Sequence, residues 1–274
     1  MAATQKKLSE TSFCALDLET TGTNAALHMI VEVGIVRFRM SGIDEIFESL
    51  VNPGVKMPEE VISVHGITDD MVRNAPQIGD ILADITRIVS DSILVIHNPG
   101  FDLSFLGWAF NKNEWKSPVM EAVDTVRLSR LAWPGLRNYR LETVCENLRL
   151  NISPHRALPD ALACMEVFKH AVKLQDKGGR WTIADLIAFH GNLIRFIKVK
   201  GKRITAPGKK MMGLQLGEKV SITYMDQEGS TTVRTIHPRE FIIIGSEAYV
   251  LAYCSLRGDT RYFKLDRIIE INSC

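Results

Sequence analysis

The chain has 274 residues, of which 46% are hydrophobic and 24% charged, and its formal net charge is +1. This apolar fraction is ample for a packed core in one large domain or two smaller ones. No run of about 18 apolar residues occurs and the N-terminal MAATQKKLSE is polar, so neither a membrane span nor a signal peptide is expected. The five cysteines are scattered along the chain, which predicts reduced thiols in a cytosolic protein.

The first predicted element is a buried strand over residues 12–18, followed by a turn at residues 20–22. Because side chains alternate along a strand, Asp17 and Glu19 point to one face while Leu18 points into the core. Two carboxylates this close repel each other unless a cation binds them, and such oxygen ligands favour magnesium or manganese over zinc. The alternative is that both acids lie at a solvated strand end.

A second short apolar strand is predicted at residues 93–96, with a turn at residues 97–100 and a helix from residue 101. Asp102 then lies in the first turn of that helix, at the exit of the strand. The alternative is an ordinary helix-start aspartate, which the helix dipole favours. His97 could equally be a satisfied histidine at the edge of the sheet.

The third segment, residues 151–158, predicts a loop that carries His155. Pro159 suits the first position of the helix that follows, which places Asp160 in the first turn. Taken alone, Asp160 is also typical of a helix start and His155 of an exposed loop. Together with the three carboxylates of the first two segments, they indicate a divalent-metal site with a base at its edge, an arrangement that suits phosphodiester hydrolysis.

With these residues placed, the chain resembles the DEDDh exonucleases, the 3′-to-5′ exonuclease family that includes the proofreading epsilon subunit of bacterial DNA polymerase III and ribonuclease T. The matching motifs are DLETTG at residues 17–22, VHGIT at 64–68, HNPGFD at 97–102 and HRALPDA at 155–161, within a similarity that spans about residues 10–175. The resemblance implies an α/β fold of the ribonuclease H-like type, a mixed central sheet flanked by helices. One departure is Pro159 directly before the last aspartate.

The resemblance also implies the chemistry of the site. Asp17, Glu19, Asp102 and Asp160 become ligands of two divalent ions, Mg²⁺ or Mn²⁺, and His155 becomes the general base that takes a proton from the attacking water. The substrate contacts that it implies are Leu18, Thr20, Thr21, His65, His97, Asn98 and Phe101. A phenylalanine at a helix start is more often part of the core, and this interpretation is preferred for Phe101.

The charge is distributed unevenly along the chain. Residues 198–274 contain 13 Lys and Arg against 8 Asp and Glu, a balance of +5, which leaves 20 and 24 in residues 1–197, a balance of −4. Six basic residues and no acidic ones lie in KVKGKRITAPGKK at residues 198–210. This run either neutralises phosphates of a nucleic-acid strand or is a solvated linker.

From residue 219 the pattern changes to short strands separated by turns, which predicts a small β-barrel. This part resembles the WYL domain, an SH3-like module of bacterial transcription regulators and defence proteins, through HPREFIIIGSEAYVLAY and RYFKLDRI, although the namesake trio reads Tyr-Val-Leu here. The resemblance implies a ligand site with Arg261 and Arg267, and the alternative is that both are surface arginines. The expected organisation is an exonuclease domain at residues 1–177, a helical and basic linker at 178–213 and the WYL-like barrel at 214–274.

The function predicted from the sequence is a metal-dependent 3′-to-5′ exonuclease acting on single-stranded DNA or RNA ends. DNA is favoured by analogy with proofreading enzymes, for which a polymerase would be the partner. The alternative is a nucleic-acid-binding or regulatory module on a catalytically silent nuclease fold. The presence of all five chemical residues argues against that alternative.

Overall fold

The computed structural model describes residues 3–152, 155–195, 202–203, 210–211, 214–226, 231–244, 247–257 and 259–273. The chain divides into two compact units, one of Met1–Pro53 with Met57–Lys198 and the other of Gly54–Lys56 with Val199–Cys274. Within the described ranges, none of the helices combines the length and the apolar character that crossing a bilayer requires. Most of the basic run at residues 198–210 lies outside the described residues.

The first unit is built on a six-stranded mixed sheet with the strand order β3-β2-β1-β4-β5-β6. Its strands are β1 (Phe13–Thr20), β2 (Ile30–Arg39), β3 (Gly42–Leu50), β4 (Ile93–Ile96), β5 (Glu121–Asp124) and β6 (Ile194–Arg195). Strands β1, β4 and β5 are parallel, whereas β2, β3 and β6 run antiparallel to their neighbours. The parallel β1–β4 pair places the exits of the two predicted apolar strands at the same edge of the sheet.

Eight α-helices lie in the described part of the first unit: α1 (Glu59–His65), α2 (Asp69–Val72), α3 (Ile78–Val89), α4 (Gly100–Lys112), α5 (Thr125–Ala132), α6 (Leu141–Leu148), α7 (Ala157–Gln175) and α8 (Ile183–His190). They form a core on each face of the sheet. On one face Phe13 of β1 packs against Phe168 of α7, with tilted rings whose centroids are 4.7 Å apart. On the other face Leu16 and Leu18 pack with α3 and α4. The predicted mixed sheet flanked by helices is confirmed.

Residues 178–195 contribute α8 and β6 to the first unit. The amide of Ile183 donates to the Lys6 carbonyl at 3.0 Å, and the amide of Leu8 donates to the Trp181 carbonyl at 2.9 Å. Leu186 of α8 is fully buried in the same core as α7. The folded first unit therefore continues well beyond residue 177.

The second unit is an antiparallel sheet with the order β13-β12-β11-β10-β14, to which β7 adds beside β11, while β8 and β9 pair separately. Its strands are β7 (Lys202–Arg203), β8 (Lys210–Met211), β9 (Leu214–Gln215), β10 (Val220–Met225), β11 (Thr231–Ile244), β12 (Glu247–Cys254), β13 (Asp259–Lys264) and β14 (Ile268–Ser273). The predicted SH3-like barrel is not confirmed, because across the described residues the sheet is open, with β13 and β14 as its edges. Alternation in a sequence predicts strands, but closure depends on pairing between the edge strands, which alternation does not encode.

Candidate active site

Strand β1 presents Asp17 and Glu19 on the face of the sheet that packs against α7. This follows from alternation, since Phe13 and Ala15 of the same strand lie in the α7 core while Leu18 lies in the opposite core. Asp160, in the first turn of α7, reaches the same place. One carboxylate oxygen from each of Asp17, Glu19 and Asp160 lies within 4.8 Å of the other two. Three acids from distant parts of the chain thus share one small volume.

Asp102 joins this group from the first turn of α4, where only 3% of the residue is exposed. Burial raises its pKa to about 8, although hydrogen bonds from its own amide and from that of Leu18 oppose the rise. Asp102 is also the strongest charged neighbour of Asp17, whose pKa is raised well above its ordinary value by burial and then by Asp102 and Asp160. The helix-start aspartate therefore faces the acids of β1.

Burial raises the pKa of all four acids, and repulsion from another acid of the group adds to the rise for Asp17, Glu19 and Asp102. The pKa of Glu19 rises to about 7, first through burial and then through Asp160, and burial raises that of Asp160 to about 6. Asp102 Oδ1 and Asp160 Oδ1 are buried, and neither has a hydrogen-bond partner among the described residues. Hard carboxylate oxygens that lack partners are the donors that Mg²⁺ and Mn²⁺ prefer. The donor set therefore fits divalent ions of this kind.

Helix α7 begins two residues earlier than the sequence predicts. It starts at Ala157 and has Arg156 as its N-cap, so Pro159 occupies the third helical position, not the first, and Leu158 is helical. A proline is tolerated there because the first four amides of a helix lack an intrahelical acceptor in any case. The departure from the family pattern at Pro159 consequently leaves Asp160 in the first turn.

His155 lies at the rim of the acidic group. Its side chain is half exposed, and Nε2 is 3.7 Å from Oε1 of Glu142 in α6. Its backbone is left-handed, with φ of 65°, and its amide donates to Asp160 Oδ2 at 2.9 Å. The imidazole is therefore accessible to solvent while its backbone is tied to an acid of the group.

Two residues near the site were missed by the sequence analysis. Glu142 faces His155, and nothing in the helical pattern of α6 distinguishes it from an ordinary surface acid. Glu32 is completely buried in β2, where it accepts hydrogen bonds from Arg156 and Ala157. A charged residue inside the apolar run IVEVGIV was the available signal for Glu32.

The predicted substrate contacts fall into two groups, of which the first is in the turn after β1. The side chain of Leu18 is buried in the core, so its backbone is the part left for a substrate. Thr20 Oγ1 donates to the Gly22 carbonyl at 2.7 Å, and Thr21 Oγ1 accepts from the Met29 amide at 2.9 Å. Both hydroxyls thus stabilise the turn.

The second group consists of His65, His97, Asn98 and Phe101. His65, at the end of α1, is buried, accepts from the Ile67 amide through Nδ1, and has no partner for Nε2 among the described residues. Burial lowers its pKa, an effect that nearby Glu32 opposes. His65 therefore lies close to Glu32 and to the backbone of Thr20, beside the acidic group.

His97 is a satisfied histidine, as the alternative interpretation had it. Nδ1 is 2.8 Å from the Thr125 hydroxyl and Nε2 is 3.0 Å from the Tyr139 carbonyl, which assigns the proton to Nε2. Asn98 is exposed in a left-handed conformation. Phe101 is half-buried and packs against Phe105 at 4.9 Å, in line with the preferred core interpretation.

Arg261 and Arg267 lie in the second unit. Arg261 is on β13 opposite Ala252 of β12, and Arg267 ends the short 3₁₀ turn Leu265–Arg267. Both are partly buried. Their predicted ligand-binding role stays a prediction.

Comparison with known proteins agrees with this geometry. The exonuclease family matches residues 14–168, and the WYL domain family matches residues 213–273. The chain is 38% identical over 159 residues to DNA polymerase III PolC-type of Oceanobacillus iheyensis, covering 58% of this chain, and spans about 11% of that relative's length. It is 36% identical over 160 residues to DNA polymerase III subunit epsilon of Treponema pallidum, covering 57% of this chain and 74% of the relative.

Solved structures share the fold. Exonuclease X in complex with 5′ overhanging duplex DNA has 24% identity and a TM-score of 0.51, over 65% of this chain and 99% of that one. The nuclease domain of 3′hExo, a DEDDh family member bound to rAMP, has 20% identity and a TM-score of 0.52, over 62% and 94% of the two chains. The fold of the first unit is therefore the ribonuclease H-like exonuclease fold. The chain belongs to the exonuclease family through its residues 14–168, and its residues 213–273 match the WYL domain family.

Proposed function

We propose that this protein removes nucleotides one at a time from the 3′ end of single-stranded nucleic acid, with DNA favoured over RNA, by two-metal-ion phosphodiester hydrolysis. The observation that carries the proposal is the convergence of Asp17, Glu19 and Asp160 within 4.8 Å, beside a buried Asp102. Bound divalent ions would supply Lewis-acid activation of water and charge stabilisation at the phosphate. The four carboxylates are the residues that would hold them.

The chain's own acid–base chemistry is assigned to His155. Its imidazole can accept a proton from the attacking water and release it to solvent. The half-exposed position of His155 supports this role, because the proton has a direct route to bulk water. Oε1 of Glu142 lies 3.7 Å from Nε2 and is the acid next to the imidazole.

The substrate preference is supported by the names of the relatives. The PolC-type and epsilon relatives are DNA polymerase III components, which favours DNA and makes a polymerase a candidate partner. A catalytically silent nucleic-acid-binding module is the competing function. It is disfavoured because the acids and His155 are all present, and because two buried carboxylate oxygens lack partners among the described residues.

The second unit is proposed to bind a nucleotide or a nucleic-acid strand. Arg261 and Arg267 are the candidate contacts, and the positive charge of the basic run at residues 198–210 would neutralise phosphates of a strand. We keep the proposed organisation of an N-terminal nuclease domain and a C-terminal WYL domain. We place residues 178–195 in the nuclease domain, on the basis of the α8 and β6 contacts.

Degradation of 5′-labelled oligonucleotides tests the proposed function. Single-stranded DNA, single-stranded RNA and duplex DNA are incubated with Mg²⁺ or Mn²⁺, with and without a chelator, and Asp17→Asn serves as the inactive control. The expected result is a ladder that shortens from the 3′ end, fastest on single-stranded DNA, and disappears with chelator. Binding without degradation would instead support the silent module, and faster loss of RNA would reverse the proposed preference.

A further inference from the structure

An ion pair between a fully buried carboxylate and a partly exposed guanidinium lies next to the acidic group. Glu32 has no exposed surface, yet its carboxylate accepts hydrogen bonds from Arg156 Nε at 3.0 Å to both oxygens, from Arg156 Nη2, and from the Ala157 amide at 2.9 Å. Both donor residues belong to the start of α7. Since both oxygens of Glu32 are occupied, this acid is not free to act as a further metal ligand.

The position of Glu32 in the sheet links the two sides of the site. Glu32 is the cross-strand partner of Glu19, and Gly34 is the cross-strand partner of Asp17. At Gly34 the strand approaches α7 so closely that a Cβ there would lie 2.3 Å from the Ala157 carbonyl carbon. Strand β2 is therefore the element that brings the start of α7 against the acids of β1.

Arg156 lies between the two proposed functional residues of this segment. His155 precedes it, and the amide of Asp160 donates to the Arg156 carbonyl at 3.0 Å. His155 itself adopts a left-handed conformation, which is unfavourable for a residue other than glycine and persists only where the surroundings impose it. The hydrogen bonds of Arg156 and Ala157 with Glu32 join this segment to β2, beside the close approach at Gly34.

The chemistry of the pair favours a geometric role. A buried ion pair generally stabilises a fold no better than well-packed apolar residues would, whereas a two-point guanidinium–carboxylate contact fixes orientation. Placing an anion beside the acidic group also costs electrostatic free energy, as Glu32 contributes to the raised pKa of Asp17 and Glu19. Because Glu32 carries this electrostatic cost and adds little stability, we expect its role to be to position the residues of the site.

We propose that Glu32, through Arg156 and the Ala157 amide, is the positioning residue that sets His155 and Asp160 against Asp17 and Glu19. This inference rests on the proposed exonuclease function for its kinetic consequence. Its structural consequence, a well-ordered segment from His155 to Asp160, does not depend on that function.

The test compares two variants with a matched control. Glu32→Gln keeps the shape and one acceptor but removes the charge, and Arg156, whose side chain is 38% exposed, stays hydrated when its partner is neutral. Arg156→Lys keeps the buried charge pair but loses the two-point contact. The control is Glu146→Gln, which removes an exposed ion pair of 2.8 Å with Arg137, neither of which has a proposed role at the site.

Each protein is assayed for kcat and KM on single-stranded oligonucleotides, for Mn²⁺ binding by calorimetry, for melting temperature, and for hydrogen exchange of the amides at residues 155–160. Removing a supporting residue of a metal site typically costs about 10- to 100-fold in activity or metal affinity. We expect losses of that size in kcat and Mn²⁺ affinity for Glu32→Gln, a smaller loss for Arg156→Lys, faster exchange at residues 155–160 in both, and KM within about threefold of wild type. The control should match wild type throughout.

Wild-type kcat, Mn²⁺ affinity and exchange in a folded Glu32→Gln protein would overturn the inference. If Glu32→Gln does not fold, Arg156→Lys decides in its place, with unchanged kcat and exchange as the contrary result. If the wild-type protein cleaves no substrate, the proposed function fails, and Mn²⁺ binding and amide exchange still decide the role of Glu32. If wild type cleaves and both variants equal it, only the positioning role is lost.

Discussion

The backbone amide of His155 donates a hydrogen bond to Oδ2 of Asp160 at 2.9 Å, so the proposed base and a proposed metal ligand are joined within one turn of chain. Burial raises the pKa of Asp160 to about 6, and this hydrogen bond opposes the rise by favouring the ionised carboxylate. The other carboxylate oxygen remains without a partner among the described residues. The motif HRALPDA therefore orients one oxygen of Asp160 and leaves the other for a cation.

Replacing the imidazole of His155 should separate catalysis from metal binding. His155→Asn is the preferred variant, because asparagine tolerates the left-handed backbone at this position better than alanine does. The hydrogen bond from the backbone amide of residue 155 to Asp160 is kept, so Mn²⁺ affinity measured by calorimetry should stay within about threefold of wild type. The value of kcat should fall about 10²- to 10⁴-fold.

His155→Ala should give the same loss of kcat with an additional loss of stability. The matched control is His170→Asn, a partly exposed histidine in the second half of α7. Near-normal turnover by His155→Asn would reject the assignment of the base.

The acidic group predicts an unusual dependence of stability on pH when metal is absent. The folded-state pKa values of Asp160, Glu19 and Asp102 are raised to about 6, 7 and 8, from ordinary values of 3.8 to 4.5. Between about pH 4 and pH 8 the folded state thus binds more protons at these groups than the unfolded state does, and their contribution to the free energy of unfolding falls as pH rises. With a chelator present, we expect a higher melting temperature at pH 6 than at pH 8.

Added Mn²⁺ should reverse this trend, because the cation replaces the protons on the carboxylates and stabilises the folded state most at pH 8. Asp102→Asn tests the cause, since it removes one buried charge. This variant should melt at a higher temperature than wild type at pH 8 in chelator and should lose most of the Mn²⁺-induced shift. An equal melting temperature at both pH values, with no effect of Mn²⁺, would show that these carboxylates do not form a cation site.

Much of the site was predictable from local patterns. Alternation along β1 places Asp17 and Glu19 on one face, and the order strand, turn, helix places Asp102 in the first turn of α4. The start of α7 was misplaced by two residues, because Pro159 satisfies the preferences of several positions in a first turn. The exact start depends on the Ala157 amide bonding to Glu32, 125 positions away in the sequence. Tertiary contacts of that kind leave no local signal.

The same reason applies to the segment at residues 178–195. Its helical periodicity was visible, but its attachment depends on hydrogen bonds to Lys6 and Leu8 at the other end of the chain. The open sheet of the second unit is a further case, since its strands were predicted but the pairing of its edges was not.

A methyl group at Gly34 should disturb the site by pushing the start of α7 away from β2. The substitution Gly34→Ala places Cβ 2.3 to 2.4 Å from backbone atoms of Ala157 and Leu158, which cannot move aside as a flexible side chain can. We expect a loss of about 1–3 kcal/mol in the free energy of unfolding, which is typical of overpacking, together with a fall in kcat as α7 shifts away from β1. Urea unfolding and oligonucleotide cleavage measure the two effects.

The control for Gly34→Ala is Gly42→Ala, at the start of β3, where a Cβ would meet no atom within 4 Å. That variant should match wild type in both assays. A Gly34→Ala protein with unchanged stability and kcat would mean that α7 can retreat from β2 without cost.

The attachment of α8 to the first unit can be tested with a matched pair of leucines. Leu186 is fully buried, whereas Leu174, near the end of α7, is 45% exposed. Leu186→Ala should lower the free energy of unfolding of the nuclease domain by about 2–5 kcal/mol, because it leaves a cavity in the core that α7 lines. Leu174→Ala should cost well under half as much, since an exposed side chain loses little burial.

Urea unfolding followed by tryptophan fluorescence measures both changes, and nuclease activity remaining at a fixed urea concentration reports on the same domain. If residues 178–213 acted only as a linker, the two substitutions would have equally small effects, and the assignment of α8 to the nuclease domain would have to be abandoned.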